Sequence, residues 1–220
     1  MRQSLCLLAL LALQPAVASD RIPDWDSGEA YVFSYGPMGP LRMGKVAADG
    51  TVELKLPAVP SSEQTLGDTF PSCLESGEPM VSEPLASFTP TSLFLAADED
   101  AMEELGSLEL VSSQEVLDWR ASYGQGNAAE GSWYQYVNVS QAATLEAECV
   151  MPTYTGEGDD NFEQLTDYAV QFQAGWNLMR NEITELRAGP SGKQYPQRIR
   201  ITVSDDVPAE ARWLFRPRAE

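Results

Sequence analysis

Residues 44 to 57 read Gly44-Lys45-Val46-Ala47-Ala48-Asp49-Gly50-Thr51-Val52-Glu53-Leu54-Lys55-Leu56-Pro57. Val52, Leu54 and Leu56 point one way, and Thr51, Glu53 and Lys55 point the other. That period of two belongs to a pleated strand and not to a helix, whose period is about 3.6. Asp49-Gly50 predicts a type I′ turn, which needs positive φ at both central positions. Pro57 has no N–H to give to a ladder and ends the strand.

The same alternation runs through the rest of the chain. Tyr31, Phe33 and Tyr35 share one face. Trp133, Val137 and Val139 oppose Tyr134, Tyr136 and Asn138. Leu145, Ala147 and Cys149 oppose Thr144, Glu146 and Glu148. Tyr168, Val170 and Phe172 oppose Ala169, Gln171 and Gln173. Ile199, Ile201 and Val203 oppose Arg198, Arg200 and Thr202. Between Phe172 and Trp176, Ala174-Gly175 predicts a second hairpin, with Trp176 and Leu178 on its buried face. Leu93 to Leu95, and Trp213 with Phe215, read as short strands. Asp98 to Leu105 reads as a helical turn. Val116 to Ala121 reads as a short helix, with Ser112 and Glu115 as its capping box. The expectation is an all-β fold: an antiparallel β-sandwich or open barrel of eight to ten strands with one or two short helices.

The first nineteen residues read as a signal peptide. Arg2 supplies the charge, Leu5 to Leu13 the apolar run and Ala16-Val17-Ala18 the small residues of a cleavage site. A bilayer-spanning helix takes about 20 apolar residues, and no later run approaches that length. The expected organisation is a signal peptide over 1–19 and a single β domain over 20–220. That domain carries a Pro/Ser-rich excursion at 57–92. The expected location is extracytoplasmic: periplasm, cell envelope or medium. Cys6 leaves with the signal, and Cys73 and Cys149 remain. An even pair in an exported chain reads as a disulfide.

The chain carries 33 acidic and 14 basic residues, a formal net charge of −19, and no histidine. Such a surface repels nucleic acid and anionic membranes. The basic residues are uneven: residues 20–179 hold a net −22, whereas residues 180–220 hold a net +2. The late arginines fall on outward strand faces, from which they can pair with the acidic strands. The missing histidine removes Ser-His-Asp and Cys-His catalysis in their usual forms, and most catalytic zinc sites. No Walker loop or dinucleotide fingerprint is present. Paired carboxylates remain, as in glycoside hydrolysis.

The one metal candidate is Gly156-Glu157-Gly158-Asp159-Asp160-Asn161. Glu157, Asp159 and Asp160 offer the oxygen ligands calcium takes, and calcium is the only cofactor the sequence suggests. The stretch lacks the alternating spacing of an EF-hand loop, so the expected reading is a solvated hairpin tip. Trp133, Tyr134 and Tyr136 suggest an aromatic platform for sugar or peptide, although aromatics at strand spacing more often fill a core.

The hairpin at 44–57 resembles one found in uncharacterised exported bacterial β proteins, where a glycine strand and a D-G turn lead to a strand ending L-P. The stretch Val170-Gln171-Phe172-Gln173-Ala174-Gly175-Trp176-Asn177-Leu178 resembles their late G-W-N segment. The resemblance implies a secreted or envelope β protein and carries no active site. The functional expectation is an exported, non-enzymatic β protein with a binding or structural role and a partner in the envelope or outside the cell. A secreted hydrolase using a carboxylate pair is the alternative.

Overall fold

The computed structural model describes residues 20–36, 39–58, 62–70, 72–73 and 80–218; the expected signal segment at 1–19 lies outside them. Among the described residues, twelve strands and two short helices follow one another. They are β1 (Ala30–Gly36), β2 (Gly39–Val46), β3 (Val52–Leu54), α1 (Leu66–Thr69), β4 (Phe88–Pro90), β5 (Leu93–Ala96) and β6 (Glu104–Val111). Then come α2 (Gln114–Ala121), β7 (Gly131–Val139), β8 (Ala143–Tyr154), β9 (Asn161–Phe172), β10 (Gly175–Ala188), β11 (Gln194–Ser204) and β12 (Arg212–Pro217). The fold is all-β, as the alternation requires, with twelve strands in place of eight to ten.

All twelve strands belong to one sheet, ordered β3-β2-β1-β5-β6-β7-β10-β11-β9-β8, with β12 beside β6 and β4 beside β7. The two ends of that path do not pair, so the sheet is open and not a closed barrel. It narrows sharply in the middle. β12 covers one edge of β6, while β5 and β7 share the other. β6 and β7 meet only at Leu110↔Tyr134 and Val111↔Trp133. This neck divides the sheet into an early half (β1, β2, β3, β5, β6 and β12) and a late half (β4 and β7 to β11).

Each half has its own apolar cluster. Ile22, Val32, Met43, Val46, Leu95, Leu108 and Trp213 fill the first. Val137, Val139, Leu145, Val170 and Phe172 form the floor of the second. Leu66, Phe70, Val81, Ala86 and Phe88, from the Pro/Ser-rich stretch, are its roof. Phe70 stands edge-on to Phe88 and Tyr168, with ring centroids 5.6 and 5.8 Å apart. Burying side chains such as Phe172 or Leu145 is worth about 1.5–3 kcal/mol each. β7 and β10 contribute to both clusters, because alternate residues face opposite ways: Tyr134 and Leu178 join the first, Val137 and Met179 the second.

Several local expectations are corrected. The turn at Asp49-Gly50 is not type I′, since only Gly50 has positive φ, at 89°. Ala47 N–H donates to Thr51 O, and Gly50 N–H to Ala47 O, both at 2.8 Å. This makes a three-residue loop in which the glycine takes the left-handed position. The cap of α2 is Ser113, whose side chain accepts from Val116 N–H; Ser112 instead accepts from Ser132 N–H. Asp98 starts no helix. Its carboxylate accepts from the N–H groups of Asp100, Met102 and Glu103 at 2.9, 3.2 and 2.8 Å, and β6 begins at Glu104.

The largest correction lies at Ala174-Gly175. β9 and β10 are consecutive and antiparallel to one another, yet they do not pair. β11 lies between them, antiparallel to β10 and parallel to β9, so the sheet is not wholly antiparallel.

A cleft where two strands part

β11 and β9 pair only over Arg198–Thr202 and Leu165–Ala169. β9 continues to Phe172, and the β11 pairing with β10 reaches Leu178↔Ser204. The ladder therefore opens at this end, and a cleft of about 630 Å³ occupies the opening.

Its floor follows from strand register. Glu146 lies opposite Ala169, Ser204 opposite Leu178, and Leu178 opposite Tyr136, so one sheet face presents a row crossing β8, β9, β11, β10 and β7. Gln171, Gln173 and Trp176 line the same cleft. Leu56, just past β3, and Asp205, Asp206 and Val207, after β11, form its sides. The row runs from a carboxylate at one end to aromatic rings at the other.

The Gly-Trp-Asn segment holds the opening in shape. Gly175 has φ of 97°, which a side chain disfavours. The buried Asn177 side chain accepts from Gln173 N–H at 2.8 Å and donates to Gln173 O and Gly175 O at 2.9 Å each. These bonds satisfy the backbone groups that a tight hairpin would otherwise have paired. The Trp176 indole N–H donates to Pro57 O at 2.8 Å, tying β10 to the chain that leaves β3. Trp176 does share a face with Leu178, but it is only half-buried, whereas Leu178 is buried.

The side formed by residues 205–207 is anchored further on. Tyr134, 4% exposed, donates its hydroxyl to Glu210 Oε1 at 2.9 Å. Arg180 lies 3.3 Å from the same carboxylate oxygen and donates to Ser132 and Glu182. Burial, then the bond to Glu210, pushes the Tyr134 phenol up to about 12. The Glu210 carboxyl is held below its ordinary value, first by its own backbone N–H, then by Tyr134 and Arg180. Burial also raises the Tyr136 phenol, so both tyrosines are neutral at physiological pH.

The candidates read from sequence separate in space. Of the aromatic trio, Tyr136 lines the cleft, Tyr134 anchors its side, and Trp133 faces away against Trp119 and α2. Glu157, Asp159 and Asp160 lie at the distant turn between β8 and β9. Glu157 accepts from the Tyr195 hydroxyl at 2.8 Å and from Ser191 N–H and Oγ–H at 2.7 and 2.9 Å. Those bonds, Tyr195 first, hold its carboxyl low. Asp160 pairs with Arg187 at 2.8 Å, and Asp159 is exposed. Among the described residues no three His, Cys, Asp or Glu side chains converge as a metal site.

The late arginines do meet the acidic strands: Arg198 lies 2.7, 3.3 and 3.4 Å from Asp167, Glu148 and Glu185. Cys73 and Cys149 sit at disulfide distance, with Cα atoms 5.6 Å apart, joining the roof to β8. No described helix is long and apolar enough to cross a membrane.

Sequence reading set Glu146, Gln171 and Gln173 on the strand faces opposite the apolar residues but gave no reason to group them with Asp205, Asp206 or Leu56. Only the insertion of β11 brings them together. Compared with protein-family models, with curated proteins and with solved structures, the chain matches none.

Proposed function

We propose that this is an exported, non-enzymatic binding protein whose cleft takes a small, hydroxyl-rich organic ligand of neutral or positive charge, a short saccharide or amino-saccharide. One observation carries the reading: a cleft of about 630 Å³ combines aromatic rings, side-chain amides and carboxylates, with no lysine or arginine among the described residues that line it. That volume is in the usual range for small-ligand sites of roughly 300–1,000 Å³. Tyr136 and Trp176 offer ring faces to apolar C–H surfaces or to a cation. Gln171, Gln173 and Asn177 supply amide groups, although Asn177 is spent on its own turn. Glu146, Asp205 and Asp206 favour hydroxyl or amine donors and repel anions.

Export is supported by the charge, apolar run and small residues of positions 1–19. A cysteine pair at disulfide distance is compatible with the same compartment. The resemblance of the Gly44–Pro57 and Val170–Leu178 stretches to exported bacterial β proteins agrees with it.

The test is calorimetric titration with three oligosaccharides of equal length: a neutral one, an amino-sugar one and a uronic-acid one. The neutral or amino-sugar oligomer should bind and the uronic-acid oligomer should not. Tyr136→Ala should abolish binding without loss of the folded state. Tight binding of the uronic acid, or unchanged binding by Tyr136→Ala, overturns the proposal.

The second reading is hydrolysis by a carboxylate pair, favoured by three carboxylates lining one cleft. Release of reducing ends, lost in Glu146→Gln or Asp205→Asn, would select it.

A further inference from the structure

Three sulfur atoms converge beneath the roof of the second core. Met80 Sδ lies 3.2 Å from Cys73 Sγ and 3.5 Å from Cys149 Sγ. Met80 and Cys149 are buried, at 9% and 3% exposure, while Cys73 opens to solvent. This cluster is on the opposite sheet face from the cleft, because Cys149 and its neighbour Glu148 alternate.

The three sulfurs are not held together by the cysteine link alone. Cys149 lies in β8 opposite Thr166 of β9. Val81 bridges to Leu145, Ser82 N–H donates to Thr144 O at 2.9 Å, and Thr144 N–H donates to Ser82 Oγ at 3.0 Å. These contacts hold the chain just after Met80 against β8 by bonds other than the cysteine link. Phe70, Ala147 and Tyr168 belong to the surrounding apolar cluster. No histidine exists in the chain, and no cluster of oxygen ligands accompanies the sulfurs among the described residues.

We propose that the reduced Cys73–Cys149 pair and Met80 form a three-sulfur site for a soft monovalent metal ion, copper(I). Two thiolates and a thioether are the ligand types that select copper(I) over harder ions. Zinc prefers four ligands and bonds poorly to a thioether, so a site with three sulfurs disfavours it. A trigonal metal with metal–sulfur bonds of about 2.3 Å, the zinc–thiolate value, spreads its sulfurs to about 4 Å. Met80 need move less than about 1 Å to reach that spacing, and the two cysteine sulfurs part by about 2 Å from bonding distance once their link is open. The cysteine bond opens with two electrons and two protons from a dithiol, which leaves as its own disulfide. Copper(I) then displaces both thiol protons, and Cys73 supplies the entry side. The oxidised pair has no thiolate to offer, so redox state gates binding.

The experiment compares the full chain oxidised and phosphine-reduced, titrated anaerobically with copper(I) against a chromogenic copper(I) chelator. The reduced protein should take up one equivalent and the oxidised protein none. Copper absorption spectroscopy should show three sulfur neighbours in the wild type and two in Met80→Leu, with affinity at least about tenfold weaker in that variant. If reduction loosens the fold, copper(I) should restore the near-ultraviolet circular dichroism of the oxidised protein, because binding to a built site is coupled to folding. Uptake without that recovery, equal affinity in Met80→Leu, preferential zinc binding, or no uptake by the reduced chain each overturns the proposal.

Discussion

Two connections in this chain look alike in sequence and behave in opposite ways. Ala48-Asp49-Gly50 closes a hairpin, whereas Gln173-Ala174-Gly175 joins two strands that never pair. Both place a glycine in the left-handed region, at 89° and 97°. At the first, backbone bonds close the loop and Asp49 Oδ1 accepts from Thr51 N–H at 3.0 Å. At the second, the side chain of Asn177 closes it, and the room left by the missing ladder becomes the cleft. A turn signal therefore specifies that the chain reverses, not what lies beside it afterwards. The neighbour is chosen by long-range packing.

The sharpest way to break this comparison is Asn177→Ala. It removes the three bonds to the backbone of the exposed Gln173 and the half-buried Gly175 made by a side chain 6% exposed. The expected loss is about 3 kcal/mol, read from urea unfolding, since each of the three lost hydrogen bonds contributes about 1 kcal/mol. At the first turn the Asp49 side chain contributes a single such bond, from Thr51 N–H. A loss no greater than that of a surface substitution would show that the turn closes by other means.

The glycines come next. A Cβ on Gly50 would lie 2.9 Å from both Ile22 O and Trp25 Cβ, whereas one on Gly175 would meet nothing within 4 Å. Both substitutions are strained by their φ, but only the first also clashes. Gly50→Ala should cost about 2–3 kcal/mol and Gly175→Ala about 1 kcal/mol by the same measurement. Equal costs would remove the packing difference between the two turns.

The smallest expected effect is a pH dependence at the first turn. Asp49 is held below its ordinary value, first by the Thr51 backbone N–H, so its ionised form is favoured in the folded state. A lowered folded value contributes stability above the unfolded value and loses it as pH falls through the folded one. The melting-temperature difference between wild type and Asp49→Ala should therefore be constant from pH 7 to 5 and shrink below about pH 4. Asn177→Ala should show no such pH dependence, because an amide does not titrate there.

The fold class was legible because period-two alternation is local: each of β7, β8, β9 and β11 announces its two faces in its own residues. The cysteine pair was legible from count: two cysteines remain once Cys6 is set aside with the expected signal segment, and those two sit at disulfide distance. The helix start slipped from Ser113 to Ser112 because adjacent serines both fit a cap, and only Ser132 decides between them. The cleft was illegible for a stronger reason. Glu146, Leu56 and Asp206 are far apart in sequence, and no residue in any of those stretches records that β11 will enter between β9 and β10. Trp176 pointed to a buried face by alternation alone; its face is correct, but the ladder opening beside it leaves it half-exposed.

The parting of β9 from β10 is the claim on which the cleft rests, and backbone proton contacts by nuclear magnetic resonance test it directly. Close contacts between the backbones of Ile201 and Tyr168, in parallel register, are the predicted result. They should be accompanied by antiparallel contacts between Leu178 and Ser204 and between Leu178 and Tyr136. A ladder of contacts between Gln171 or Phe172 and Trp176 or Asn177, with none between Ile201 and Tyr168, would mean an ordinary hairpin and would contradict the account.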